Sequence, residues 1–342
     1  MKSPNRDQSR FPILLVLLIS TIVPSVSCRK IIQLNEPGTS ALEVFNEAWE
    51  IIDQRYALFS IKETNWQNTY TSLSPKANAA LSDQDLFNLL VQMLESLQDG
   101  HVSLVNSSKI YTYDHFYTAF PVNFNYANVV ATYLGTAYHQ TGPVTYSIRD
   151  SVGYLYYDSF TKSLSAEQLD EVFRFLQNTK GLIVDVRSNT GGDTRNAELF
   201  FRHFLADRQL VKYELRKAGK GHEDYAIPDP TYIEGSAKPY LQPVCVLINR
   251  SCYSACNDFV MYMSDQPNVL LVGDQTGGGG GFPSEYLLSN GWRLKYTATM
   301  TLSPDMKNFE KGISPDIPVG ISNIDEQFGK DPILEKAFSI LR

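Results

Sequence analysis

Apolar residues recur along this chain with two periods. From Ser40 they come every three or four positions, at Leu42, Phe45, Trp49, Ile52 and Tyr56, which predicts an amphipathic helix. Trp66 and Tyr70 continue that spacing in a second short segment. Leu86, Leu89, Leu90, Met93 and Leu97 continue it in a third helix. The third helix opens at Ser82-Asp-Gln-Asp85, which resembles a capping box, and stops at Asp99-Gly100. Val102-Ser-Leu-Val105 follows as a strand. Residues 106–152 are rich in Tyr, Phe, Val and Thr with no helical period, so short strands are expected there.

After residue 152 short apolar runs alternate with helical spacing. Residues 153–160 and 181–187 read as strands, with a helix over 165–176 between them that turns Leu169, Val172, Phe173 and Leu176 inward. Strand, helix and strand of this length predict a βαβ unit. Asp193 caps a further helix running through Phe204. Pro243-Val-Cys-Val-Leu-Ile-Asn249 is apolar and β-branched, a strand buried on both faces. A helix follows, with Phe259, Val260 and Met263 at helical spacing, and then a strand over 269–273. Residues 286–301 form a hairpin turning at Asn290-Gly291, and a helix over 333–341 closes the chain. Helices first and alternating βαβ units afterwards give an α/β class.

Composition adds limits. The 342 residues are 43% apolar and 20% charged, enough for one large or two modest domains. The net charge of −7 and the lack of a basic cluster argue against nucleic acid as a partner. The N-terminus is set apart: Lys2, Arg6 and Arg10 lead into an apolar run over residues 11–23, then small residues and Cys28. Residues 1–27 read as a signal peptide, since the run is short for a membrane span. A cysteine after Ser25-Val-Ser27 resembles a bacterial lipobox, although Ser25 stands where leucine is preferred. The expectation is an exported protein of the bacterial cell envelope, periplasm or outer membrane, anchored to a membrane by lipid on Cys28. Residues 28–40 would be its tether. The other three of the four cysteines, Cys245, Cys252 and Cys256, imply no disulfide framework and lack zinc-site spacing. No cofactor or metal is implied.

Candidate chemistry lies at junctions. Ser254 sits where the buried strand turns into a helix. Such a turn lifts a hydroxyl out of the sheet edge beside the free N–H groups of the helix, the geometry of a nucleophile next to an oxyanion hole. A plain helix N-cap is the commoner reading of a serine there. His101 follows a helix stop and precedes a strand, held by both. Ser188-Asn-Thr-Gly-Gly192 ends a strand with bare backbone N–H groups, and Glu310 lies in a further loop. A serine hydrolase needs a hydroxyl, a base in reach and an acid to orient the base.

Several segments in this order resemble the carboxyl-terminal processing, or tail-specific, serine peptidase family from about Leu42 to Val319. They are Leu97-Gln-Asp-Gly-His-Val, Gly153-Tyr-Leu with Ser159-Phe, Gly181-Leu-Ile-Val-Asp-Val-Arg-Ser-Asn-Thr-Gly-Gly192, Ser254-Ala255, Gly273-Asp-Gln-Thr-Gly, and Glu310-Lys-Gly-Ile-Ser-Pro-Asp316. The resemblance implies a crotonase- or ClpP-like β/α core over 153–342 behind a helical region over 41–105, with a short β-rich insertion over 106–152. It implies Ser254 as nucleophile and an oxyanion hole from the N–H groups of Ala255 and of Gly191 or Gly192. Many members use a lysine base after the Thr-Gly segment, but that loop here is Gly277-Gly-Gly-Gly-Gly281. The usual PDZ module is also missing. Both departures point to a tricorn-like branch in which His101 is the base and Glu310 orients it. Asn257 stands where members often have glutamate. The nearest lysines in sequence, Lys295, Lys307 and Lys311, are given no part in the reaction. The expected activity is hydrolysis of polypeptides, near C-termini in the family, through an acyl-enzyme. The alternatives are an inactive peptide-binding surface lipoprotein and an acyl-CoA enzyme on the related crotonase core. No motif supports CoA.

Overall fold

The computed structural model describes residues 40–78 and 80–342; the signal peptide, Cys28 and nearly all of the tether lie outside the described residues. Helix α1 (Ala41–Arg55) starts at Ser40, whose hydroxyl accepts the Glu43 N–H while the Glu43 carboxylate accepts the Ser40 N–H. Its buried face is rotated from the expected one. Val44, Phe45, Ala48 and Ile52 are buried, whereas Leu42 is 41% exposed. Ala41 and Ala48, which carry little weight in a hydrophobic pattern, let neighbouring elements approach on their side and turn Leu42 to solvent.

Short α2 (Phe59–Lys62) and α3 (Trp66–Leu73) follow. The Trp49 and Trp66 indoles each donate to the other's backbone carbonyl, at 3.3 and 3.2 Å, and so pin α3 to α1. Helix α4 (Asp83–Glu95) is capped by Ser82 and buries Leu86, Leu89, Leu90 and Met93. Each fully buried leucine contributes about 1.5–3 kcal/mol.

Strands β1 (Ser103–Val105) and β2 (Ile110–Thr112) come next. The stretch expected to hold only strands then forms α5 (His115–Thr118) and α6 (Tyr126–Asn128), the latter running into a π-helical turn over Val129–Leu134. Asn125 caps α6, and Val129 and Leu134 bury against the C-terminal helix. Capping and tertiary packing here outweigh the strand propensity of the residues. Strands β3 (His139–Thr141) and β4 (Val144–Arg149) extend the main sheet from β5 (Val152–Tyr157) as antiparallel neighbours.

The expected alternation holds over residues 152–201 and again over 244–273, whereas two strands between them, over 209–216 and 229–233, have no counterpart in the sequence pattern and join a separate sheet. Helix α7 (Ala166–Leu176) leads to β6 (Gly181–Asp185), which pairs parallel with β5. Then come α8 (Thr194–Phe201), β7 (Gln209–Arg216), β8 (Asp229–Ile233), β9 (Val244–Ile248), α9 (Ala255–Ser264) and β10 (Val269–Gly273). The hairpin is β11 (Pro283–Leu287) with β12 (Arg293–Thr297); Thr299–Leu302 is a separate strand, β13, paired with β7. The chain ends in β14 (Ile317–Pro318), α10 (Asn323–Gln327) and α11 (Pro332–Leu341).

The main sheet has the order β14-β10-β9-β6-β5-β4-β3. Residues of α7, α8 and α9 fill the core on one face, and α11 covers the other. A second sheet, β11-β12-β1-β2, packs under α1, α3 and α4. Strand β1 pairs there with β12, Ser103 opposite Lys295, so a strand from the first third of the chain lies beside one from the last. That pairing brings the residues before β1 to the edge of the main sheet.

Candidate active site

Ser254 has φ +56° and ψ −126°, a conformation that costs an L-residue on the order of 1–3 kcal/mol. Its hydroxyl does not cap α9, which removes the N-cap reading. The Ser254 N–H donates to the Gly278 carbonyl at 2.9 Å, fixing the turn to the glycine loop. The hydroxyl instead meets His101 Nε2 at 3.0 Å. The sheet pairing of β1 with β12 thus brings together two groups that are far apart in sequence.

His101 is buried, and its backbone N–H donates to Asp99 Oδ1 at 2.8 Å. The Asp99 Oδ2 accepts from the hydroxyls of Tyr56 and Thr297 at 2.9 and 2.6 Å. Burial would raise the Asp99 carboxyl, yet Lys62, His101 and the Thr297 hydroxyl together hold it below its ordinary value. Burial also lowers the His101 imidazole; the Asp99 charge opposes that and the Lys295 charge adds to it. The sequence pattern marks Asp99 only as part of a helix stop. An acid two residues before the histidine is its one signal in the sequence.

Glu310 does not join His101 by a hydrogen bond. Its Oε1 is taken by Lys62 Nζ at 2.6 Å and its Oε2 by the Gly280 N–H at 2.7 Å. The His101 Nδ1 is a buried atom without a hydrogen-bond partner among the described residues. The expected histidine–glutamate contact is therefore replaced by a glutamate–lysine pair. Lys62 comes from α2, a single turn with no sequence pattern to announce it, and also donates to the Gln98 carbonyl at 2.8 Å. Burial lifts the Glu310 carboxyl to about 7, with Lys62 pulling it down and Asp99 pushing it up.

Of the backbone donors expected to face an oxyanion, Gly191 N–H already donates to the Asn189 side chain at 2.9 Å. The Gly192 and Ala255 N–H groups have no acceptor among the described residues. Gly191 has φ +93°, and a Cβ on it would lie 2.5 Å from the Tyr253 carbonyl oxygen and 2.9 Å from the Ala255 nitrogen. Only glycine lets this turn come so close to the serine. The turn is anchored from below by Arg187, fully buried and paired with Asp185 and Asp331.

Asn257 ties α9 to its surroundings: its amide donates to the Phe309 carbonyl and accepts from Thr276 Oγ1. The insertion also reaches the site, since Phe116 stacks on Tyr253 with ring centroids 4.2 Å apart. Cys245, Cys252 and Cys256 are buried and free. A cavity of about 320 Å³ opens over Ser254 and His101 and is lined also by Gly191, Gly192, Asp258 and Lys295. Nothing in the sequence pattern signals that Lys295 faces this cavity. Among the described residues no cluster of His, Cys, Asp or Glu fits a metal ion.

Comparison with known proteins matches residues 151–319 to the model of peptidase family S41 and residues 37–95 to that of the tricorn protease C1 domain. A structure from Parabacteroides merdae, solved as that of a candidate peptidase, is 36% identical and superposes with a TM-score of 0.84, over 88% of this chain and 96% of that one. A protein of Staphylococcus haemolyticus named as a CtpA-like serine protease is 27% identical over 52% of this chain and 35% of its own. The chloroplastic carboxyl-terminal-processing peptidase 3 of Arabidopsis thaliana is 26% identical over 51% of this chain and 32% of its own. The match spans about a third of the length of these two curated relatives.

Proposed function

The chain belongs to peptidase family S41, and from that membership we propose that it hydrolyses peptide bonds in polypeptides with Ser254 as nucleophile and His101 as base. The observation that carries this reading is the 3.0 Å approach of Ser254 Oγ to His101 Nε2 at a strained strand–helix turn. His101 takes the hydroxyl proton as Ser254 attacks the carbonyl carbon. The oxygen that becomes negative is received by the Ala255 and Gly192 N–H groups. The C–N bond breaks, His101 hands its proton to the leaving amine, and water then releases the acyl group from Ser254 by the reverse sequence.

Glu310 enters as a positioning group. It holds Lys62 and the Gly280 N–H, and so sets the glycine loop whose Gly278 carbonyl fixes the Ser254 backbone. The tricorn-like assignment is supported by His101 beside Ser254, by the lysine-free loop over 277–281 and by the match of residues 37–95 to the tricorn protease C1 domain. The names of the relatives support cleavage near C-termini. The leader-like residues 1–27 and Cys28 support export and lipid anchoring.

A fluorophosphonate probe tests the reading. Labelling mapped to Ser254 and absent in His101→Ala is the expected result. One observation favours a peptide-binding protein without turnover: His101 Nδ1 has no partner among the described residues, which leaves the tautomer unfixed. No labelling, with peptide binding retained, would establish that alternative.

A further inference from the structure

The cavity above Ser254 is lined by two charged side chains besides His101: Asp258 and Lys295. Asp258 is already matched, with Lys212 Nζ 2.9 Å from its Oδ2 and both side chains buried. Lys295 is half-buried and makes no ion pair among the described residues. Its neighbours across the ladder are Ser103 on β1 and Glu285 on β11. Glu285 stands directly opposite, yet the two side chains do not pair. The rest of the lining is threonine hydroxyls, glycine backbone, Phe282, Pro283 and aromatic surface. The cavity therefore holds, beside the nucleophile, one lysine that no carboxylate of the described residues engages in an ion pair.

We propose that Lys295 is a carboxylate-binding residue of the substrate site, so that the preferred polypeptide carries a negative group within the short stretch held over Ser254. This rests on the peptidase reading of the site and adds to it the substrate's charge. At about 320 Å³ the cavity is at the small end of ligand sites, so only a short stretch of chain fits. The carboxylate thus lies close to the scissile bond, either as the chain's own C-terminus or as an aspartate or glutamate side chain. A lysine, a compact charge on a flexible stem, suits either source. The pairing also acts on the base. The Lys295 charge opposes protonation of His101, and a substrate carboxylate on Lys295 offsets that charge when the imidazole must take the serine proton.

The test is binding, read separately from turnover, on the full-length Ser254→Ala protein. The probes are fluorescein-labelled heptapeptides of alanine and serine. One ends in a free carboxylate, one in an amide, and an amidated series carries a single glutamate at each position in turn. The expected result is about tenfold tighter binding of one carboxylate arm than of the plain amide. That preference should vanish in Ser254→Ala/Lys295→Met and persist in Ser254→Ala/Lys295→Arg. A preference only for the free C-terminus assigns the terminal carboxylate, and one only for an internal glutamate assigns a side chain. Equal binding of all peptides by Ser254→Ala, or an undiminished preference in the Lys295→Met background, overturns the proposal. Failure of wild-type protein to cleave any of these peptides would count against the peptidase reading and leave the binding result to stand or fall by itself.

Discussion

The Lys62 ammonium lies 2.6 Å from Glu310 Oε1, and the two side chains are 10% and 2% exposed. With the Gly280 N–H on its other oxygen, the Glu310 carboxylate has both oxygens engaged without touching His101. An acid that orients its histidine directly is worth about 10⁴ in kcat. Glu310→Gln is therefore expected to cost well under that in kcat, because the amide oxygen can still accept the Gly280 N–H. Steady-state kinetics on a fluorogenic peptide would measure it. A full 10⁴ loss in a folded variant would mean that the carboxylate moves to His101 when substrate binds.

The same pair makes stability depend on pH. The folded Glu310 carboxyl is raised to about 7 from an ordinary value near 4.5, chiefly by burial. A raised group favours the protonated form, so its contribution is full below about 4.5 and is lost as pH rises through about 7. The span corresponds to roughly 3 kcal/mol. Melting temperature should fall over this window in the wild type, and the Glu310→Gln curve should be flatter. Lys62→Met, which leaves the acid buried and alone, should cost about 3–5 kcal/mol at pH 8 and little at pH 4. Parallel melting curves for all three proteins would rule this out.

What was legible in the sequence was mostly local. The buried runs that became β6 and β9, and the serine at the turn into α9, needed only period and turn chemistry. Glu310 and His101 could be singled out at their junctions, and the family resemblance joins His101 to Ser254, but the local pattern does not show which groups either one meets. That depends on β1 pairing with β12 across the length of the chain, and on α2, whose four residues carry no pattern. Lys62 is the clearest case. Its role comes from where the helical region packs, and a surface lysine would look the same in sequence. Leu42 and residues 106–152 departed from expectation for a related reason: alanines and an asparagine cap shaped those elements more than the apolar and β-branched residues did.

The backbone of Ser254 makes its own prediction. At φ +56° and ψ −126° the serine is held where glycine is comfortable. Ser254→Ala and Ser254→Gly both remove the hydroxyl, and each should lower kcat by on the order of 10⁶. Their stabilities should differ: the glycine variant should be the more stable by about 1 kcal/mol, through relief of strain of this kind. Chemical denaturation of the two side by side would measure the gap. An alanine variant at least as stable as the glycine one would show that the turn stores no strain.

Residues 11–28 predict location. If Cys28 carries lipid, the wild-type protein should partition with membranes of a bacterial host and Cys28→Ala should be recovered in the soluble fraction. Detergent-phase separation and mass measurement of the N-terminal peptide would both report it. A Cys28→Ala protein that stays with the membrane fraction would exclude the anchor.

The last prediction separates the charges around the base. His101 must be neutral to accept the Ser254 proton, and burial holds its pKa below the ordinary 6.5. The acid limb of kcat/KM should therefore lie below pH 6.5, with activity present above it and lost as pH falls through it. Four charges act on this limb: Asp99 and Asp258 favour the imidazolium, Lys295 and Lys62 oppose it, and the larger of each kind, Asp99 and Lys295, pull in opposite directions. The Asp99 carboxylate favours the imidazolium, so Asp99→Asn should move the limb further into acid. Lys295 disfavours it, so Lys295→Met should move the limb toward neutral. Lost packing or a general loss of stability would not shift the two variants in opposite senses. Asp99→Asn also weakens the contacts to Tyr56 and Thr297, so its profile should be taken well below its melting temperature. A wild-type limb near pH 7 that disappears in Glu310→Gln would assign the titration to Glu310 and remove His101 from it.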